Sequence, residues 1–296
     1  MIKKNLKMII TLILIVAMLT LSVFAYRFVQ RLYPNAMLAL RREFIYIGTE
    51  IKLIEYTKKT RSVSLSALLS YESTAKNNSM IIVSAEYPIN DSLAFGSVTE
   101  YKDTELYLDS YIHSSFSALS TYIQDKFGEK LYITSAYRTA DEQQALYDEK
   151  GSSVAQRSGE SEHQTGLAAD VAIKGFGGAS ILKTDAGKYI NLHCWNYGFI
   201  IRYPDGRKDV TGINYEPWHI RYVGAPHAEY ICKNDITLEE YVESLTQNML
   251  FTYDKLPQYA VIKTDGHGDI VVPENYVSCI ISPDNCGNYI ITFQLY

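Results

Sequence analysis

Between Met8 and Tyr26 the chain runs for 19 residues, "MIITLILIVAMLTLSVFAY", without one charge. A helix of that length crosses a hydrocarbon core of about 30 Å. A buried helix of a globular domain keeps a polar face, and this run has none. Secretory signal cores are usually shorter, which favours an uncleaved anchor, although Val23-Phe24-Ala25 leaves a removable signal peptide as the alternative. Lys3, Lys4 and Lys7 precede the run, and Arg27 and Arg31 follow it. The short basic tail is therefore read as cytoplasmic and the chain after Arg27 as exported, in a single-pass protein of the cell membrane.

Composition narrows the partners. A net charge of -5 and a pI near 5.7 provide no basic stripe to neutralise phosphates, so nucleic acid is excluded as the expected partner. An exported compartment permits disulfides. Cys194 reads as a buried small hydrophobe, whereas Cys279 and Cys286 flank the turn "CIISPDNCGN" and leave a disulfide open. None of the four cysteines has CxxC spacing, so a metal here would be held by nitrogen and oxygen ligands.

Four regions follow: a tail and transmembrane anchor over 1–26, a mostly helical juxtamembrane segment over 27–79, the main domain over 80–249, and a small β-rich appendage over 250–296. Within the main domain, helical spacing of Leu108, Ile112, Phe116, Leu119 and Ile123 predicts a helix over 104–127, ending at Gly128. "KLYITSAYR" alternates as a strand, and Thr139 with Glu142 forms a capping box for the next helix. "LAADVAI", "IIRYP" and "YEPWHIRYV" read as further strands, and "DAGKYINLHCWNYGF" and "LEEYVESLTQNM" as helices. Helices mixed with antiparallel strands, with no regular βαβ repeat, predict an α+β fold: a small antiparallel sheet flanked by helices.

The chemistry concentrates in "SEHQTGLAAD", Ser161 to Asp170. Catalytic zinc takes three protein ligands from His, Asp or Glu and keeps one position open. His163 and Asp170 supply two, with Gly166 making the bend between them. His219 in "NYEPWHIRYV" is the candidate third, with Glu216 three residues earlier. In an ideal strand those two would face opposite ways, so their convergence requires a bend, which Pro217 encourages. Zinc lowers the pKa of water towards ~7, and a carboxylate such as Glu216 can take the proton and pass it to a departing amine. That chemistry is amide hydrolysis. A fixed cation would serve a substrate carboxylate or an oxyanion, and Arg138 at a strand end, with Gln143 one turn into the following helix, is placed for it.

Taken in order, Ser135-Ala136-Tyr137-Arg138, Gln143 with Leu146-Tyr147, Ser161-x-His163-x-x-Gly166-x-Ala168-x-Asp170, and Glu216-x-Trp218-His219 resemble the motifs of VanY-type zinc D-alanyl-D-alanine carboxypeptidases. That family belongs to the group joining lysostaphin-like peptidases, D-Ala-D-Ala peptidases and the hedgehog signalling domain. The resemblance implies Zn2+ on His163, Asp170 and His219, Glu216 as general base, and Arg138 as the stabilising cation. It also places Gln143 and Ser161 along the substrate cleft, and Trp218 as a cleft wall or a core aromatic. The implied substrate is a peptidoglycan peptide ending in D-Ala-D-Ala, with a contribution to glycopeptide resistance. L,D-carboxypeptidase or D,D-dipeptidase activity on the same machinery, or a non-catalytic wall-peptide-binding domain, are the alternatives. "TADEQQ" after Arg138 departs from the family's usual run and bears on substrate preference. His113, His193, His227 and His267 lack a carboxylate at usable spacing and read as structural.

Overall fold

The computed structural model describes residues 2–46, 51–56, 58–89, 97–152, 154–246, 249–253 and 256–295. It divides into two compact units, Met1–Ile47 and Gly48–Tyr296. The first unit is a helix over Ile2–Leu32 and a second over Pro34–Tyr46. Pro34 opens the second helix, where its missing N–H leaves nothing unsatisfied. Within the first, Ile9–Val29 is long and apolar enough to cross a membrane, and no part of that window is buried.

Helicity ends sooner than the sequence suggests. The segment expected to be mostly helical to residue 79 instead forms strands Leu53–Glu55, Thr60–Ser64 and Thr74–Lys76, with one short helix, Leu65–Leu69, capped by Ser64. The partners of these strands lie about two hundred residues away: Val63 stands opposite Ile270, and Ala75 opposite Ile280. The C-terminal strands are consequently no separate appendage. Met249–Tyr253, Leu256–Thr264, Tyr289–Gln294 and Ser278–Pro283 form the middle of a six-stranded sheet, edged by Leu53–Glu55 on one side and Thr74–Lys76 on the other. Val261 and Ile290 of that sheet share one apolar cluster with Met80, Ile200, Val223, Leu238 and Tyr241 of the main domain. The expected boundary near Met249 adjoins residues 247–248, which lie outside the described residues. Cys279 is buried in the sheet, and no disulfide joins it to Cys286.

The sheet that carries the site has four antiparallel strands in the order Leu131–Ser135, Ala168–Ile173, His219–Tyr222, Phe199–Ile201. The helix behind it spans His113–Phe127 and buries Phe116, Leu119 and Ile123, closing at Gly128 with a left-handed φ of 68°. It does not begin at Thr104. Leu108 and Ile112 are buried at helical spacing, yet the Asp109 carboxylate accepts the Tyr111 N–H at 2.9 Å and starts helical structure only there, leaving Tyr107–Asp109 to pair as a strand with Val98–Glu100. The capping box of Thr139 and Glu142 forms as the sequence indicates and opens the helix Ala140–Lys150.

His227 joins the two parts of this unit. It sits in the helix Ala225–Asn234, fully enclosed, with Nδ1 hydrogen-bonded to the Tyr241 hydroxyl at 2.8 Å and Nε2 to Thr292 Oγ1 of the large sheet at 2.9 Å. Burial pushes its pKa down to about 3, from 6.5 for the free side chain. The unfolded chain therefore binds one more proton between those values. The contribution is complete above the unfolded pKa and is lost as pH falls towards the folded one. Denaturant unfolding at pH 6.5 and 5.5 is expected to show the parent losing up to about 1.4 kcal/mol more over that unit than His227→Asn; equal slopes would exclude this linkage.

Candidate metal centre

His163 reaches the site from a single 3-10 turn, Glu162–Thr165, that starts after Ser161 and stops at Gly166. Gly166 has a φ of +72°, and a Cβ there would stand 2.8 Å from the Asp109 amide nitrogen, so both conformation and space call for glycine. The chain then enters Ala168–Ile173, where Ala168 and Ala169 are fully buried. Asp170 lies directly opposite His219 in the strand register, and the pairing brings His219 Nδ1 to 2.9 Å from Asp170 Oδ1. His163 Nε2 is 3.6 Å from Asp170 Oδ2, and the two imidazoles meet edge to face with centroids 5.0 Å apart. One ligand atom from each of His163, Asp170 and His219 falls within 4.8 Å of the others.

The anticipated bend before His219 is a turn in which the His219 N–H donates to the Glu216 carbonyl at 3.0 Å. Asn191, on the helix Asp185–His193, pins it by donating to the Pro217 carbonyl at 2.9 Å, and the Tyr215 hydroxyl donates to Asn191 Oδ1. Glu216 Oε2 consequently lies 3.9 Å from His219 Nδ1. The imidazoles are nearly enclosed, whereas the side chains of Asp170 and Glu216 remain 21% and 28% exposed, so the cleft opens on the carboxylate side.

Protonation follows this layout. Burial pushes the Asp170 carboxyl up, but hydrogen bonds from His163 and His219 outweigh it and hold the group well below the ordinary range. Burial also raises Glu216, and the charge of Asp170 adds to the effect against the opposing His219 and Arg138. Burial lowers His163. For His219 burial acts downward, yet bonds to Asp170 and Glu162 prevail and raise it to about 9. Carboxylates converging on an enclosed imidazole make a place for a cation. His163 Nδ1 is 2.8 Å from the Ala136 carbonyl, to which it donates as the Nδ1–H tautomer, leaving Nε2 to face the site. Two imidazole nitrogens and a carboxylate with an open side are a donor set that suits zinc.

Arg138 is held near this field: burial lowers its pKa, the charges of Asp170 and Glu216 act against that, and its Nε is buried with no hydrogen-bond partner. Gln143 is wholly enclosed and its Nε2 donates to the Gln156 carbonyl, so its amide braces the following loop, with Oε1 left unpaired. Ser161 is buried and its hydroxyl does not cap the turn it opens. Trp218 is half-buried, and its carbonyl accepts from Val171 N at 2.9 Å. His163, Asp170, His219 and Glu216 are thus brought together, with Arg138 in their field.

The sequence reading missed Glu162, Arg202 and Arg221. Glu162 Oε1 accepts from Arg202 Nε at 2.6 Å and Arg221 Nη1 at 2.7 Å, and all three side chains are buried. Burial acts to raise Glu162, but the two guanidiniums overcome it and keep the carboxylate ionised. Arg202 also makes a two-pronged contact with Glu239. A signal was present: each arginine stands inside an apolar strand, "FIIRY" and "HIRYV", where a charge needs a buried partner.

The family model of VanY, D-alanyl-D-alanine carboxypeptidase, matches residues 105–225. Over 191 residues the chain is 34% identical to a D-alanyl-D-alanine carboxypeptidase of Enterococcus faecium, covering 60% of this chain and 61% of that relative's length. Over 188 residues it is 31% identical to the bifunctional D-Ala-D-Ala dipeptidase and D-Ala-D-Ala carboxypeptidase VanXYC of Enterococcus gallinarum, covering 58% of this chain and 97% of that protein. Among solved structures, the zinc complex of a mutant vancomycin-resistance D,D-pentapeptidase VanY from a VanB-type cassette is 28% identical, with a TM-score of 0.50, covering 55% of this chain and 98% of that one. By motif, fold and matched sequence alike, the chain belongs to the VanY family of D-alanyl-D-alanine carboxypeptidases.

Proposed function

We propose that this protein is a membrane-anchored zinc D,D-carboxypeptidase that removes the terminal D-alanine from peptidoglycan peptides ending in D-Ala-D-Ala. The observation that carries the reading is the convergence of His163, Asp170 and His219 within 4.8 Å, with the Glu216 carboxylate 3.9 Å from His219 at the open side. His163, Asp170 and His219 hold the zinc. Zinc, when bound, supplies Lewis acidity that polarises a carbonyl oxygen and makes water a competent nucleophile at neutral pH. Glu216 takes a proton from the attacking water and returns it to the leaving D-alanine nitrogen as the peptide C–N bond breaks; its partial burial, which favours the protonated form, suits that second half. Arg138 offers unpaired donor capacity to the substrate carboxylate or the developing oxyanion. Gln143, Ser161 and Trp218 shape the cleft around it.

The apolar helix Ile9–Val29 holds the domain at the outer face of the membrane, where stem peptides and their precursors are found. Loss of the terminal D-alanine removes the target of vancomycin-type antibiotics, and chemistry without a serine nucleophile is insensitive to penicillins. A second reading, D,D-dipeptidase activity at the same site, is favoured by the bifunctional relative, of which this chain covers 97%.

Two measurements check these assignments. With purified protein and a panel of D-Ala-D-Ala dipeptide, tripeptide, tetrapeptide and pentapeptide, D-alanine is expected from the pentapeptide, lost on chelation and restored by zinc. No D-alanine from any member would sink the proposal, and release from the dipeptide alone would favour the second reading. Glu216→Gln is expected to lower kcat by about 100- to 10,000-fold with zinc content near that of the parent; undiminished kcat would remove Glu216 from the role of base.

A further inference from the structure

The buried charge cluster behind the site has a direction. Glu162 presents Oε1 to both Arg202 and Arg221, while its other oxygen, Oε2, faces His219 Nε2 at 3.5 Å. Glu162 Oε2 and His219 Nε2 are both buried and neither has a hydrogen-bond partner elsewhere. Each is the only polar atom recorded within ion-pair range of the other. On the opposite side of the ring, Nδ1 points to Asp170. We propose that Glu162 is a positioning residue: it holds the proton of His219 on Nε2, so that Nδ1 is the nitrogen presented to the metal. This rests on the reading of His219 as a zinc ligand.

The chemistry allows little else. An ionised carboxylate only accepts hydrogen bonds, so the ring nitrogen facing it must carry the proton. A carboxylate behind a ligating imidazole fixes its tautomer and orientation and makes it a stronger donor. The two guanidiniums keep Glu162 ionised and immobile, and they are themselves anchored. Arg202 is clamped by Glu239, and Arg221 Nη2 donates to the carbonyls of Asn78, Ser79 and Ile81 at 3.4, 3.1 and 3.0 Å. Residues 78–81 and Glu239 lie outside the family match over 105–225. The flanking segments therefore reach the metal site through Glu162, although none of their side chains enters the cleft.

Two readouts test this on the full chain. In the zinc-loaded parent, a long-range proton–nitrogen NMR correlation of the His219 ring is expected to show Nε2 protonated and Nδ1 bound to metal; the reverse pattern would overturn the inference, and this measurement does not depend on any variant folding. In Glu162→Gln, competition with a chromophoric chelator is expected to show zinc affinity 10- to 100-fold weaker than the parent, and unchanged affinity would equally overturn it. A parent protein that binds no zinc at all would instead overturn the reading of the site, and this inference with it.

Discussion

One carboxylate oxygen, Glu162 Oε1, neutralises two guanidiniums that water does not reach. Burying such charges is unfavourable unless they are paired and fully hydrogen-bonded, and removing one partner from a cluster of this kind costs about 3–5 kcal/mol. The cluster therefore imposes its geometry on everything it touches. Arg202 extends from the strand Phe199–Ile201 to the helix Leu238–Ser244, and Arg221 from the central sheet to the segment at residues 78–81. Elements from four stretches of chain converge on the turn that presents His163.

On the other face of that turn the balance of charge reverses. Asp170 and Glu216 gather around two imidazoles without a matching guanidinium at hydrogen-bond distance, and the upward shift of His219 against its own burial reports the resulting attraction for a cation. The two faces are separated by a single imidazole ring. One side of His219 is a closed ion cluster that sets the fold, and the other is an open cluster that awaits positive charge. Asn191 and Gly166 belong to the same division of labour, since one holds the Pro217 turn and the other permits the tight approach to Asp109.

The open cluster was legible in the sequence because its pieces are local and chemically unusual. His163 and Asp170 are seven residues apart around a glycine, and Glu216 with His219 surround a proline that explains their convergence. The closed cluster was not, because its contacts span 40 and 59 residues, and an acidic side chain in a polar turn looks like a solvated one until its partners are known. Distance in sequence also concealed the strands over 53–76, whose pairing partners lie near the other end of the chain. The helix anticipated over 104–112 failed for a different reason. Leu108 and Ile112 satisfy helical spacing while facing the core from a strand and a 3-10 turn, and only the Asp109 cap distinguishes the two. The Gln143 side chain shows the same limit at the scale of one residue: a position that lines the cleft by motif is here an enclosed brace for a loop.

Everything said of the chemistry depends on zinc being held by His163, Asp170 and His219 together. Anomalous diffraction at the zinc edge, from crystals of the zinc-loaded protein, tests this most directly. The expected result is one strong peak within bonding distance of His163 Nε2, an Asp170 carboxylate oxygen and His219 Nδ1, with Glu216 beside it but not bonded to it. A peak lacking any of the three ligands, or no peak at this position in fully loaded protein, would contradict the account.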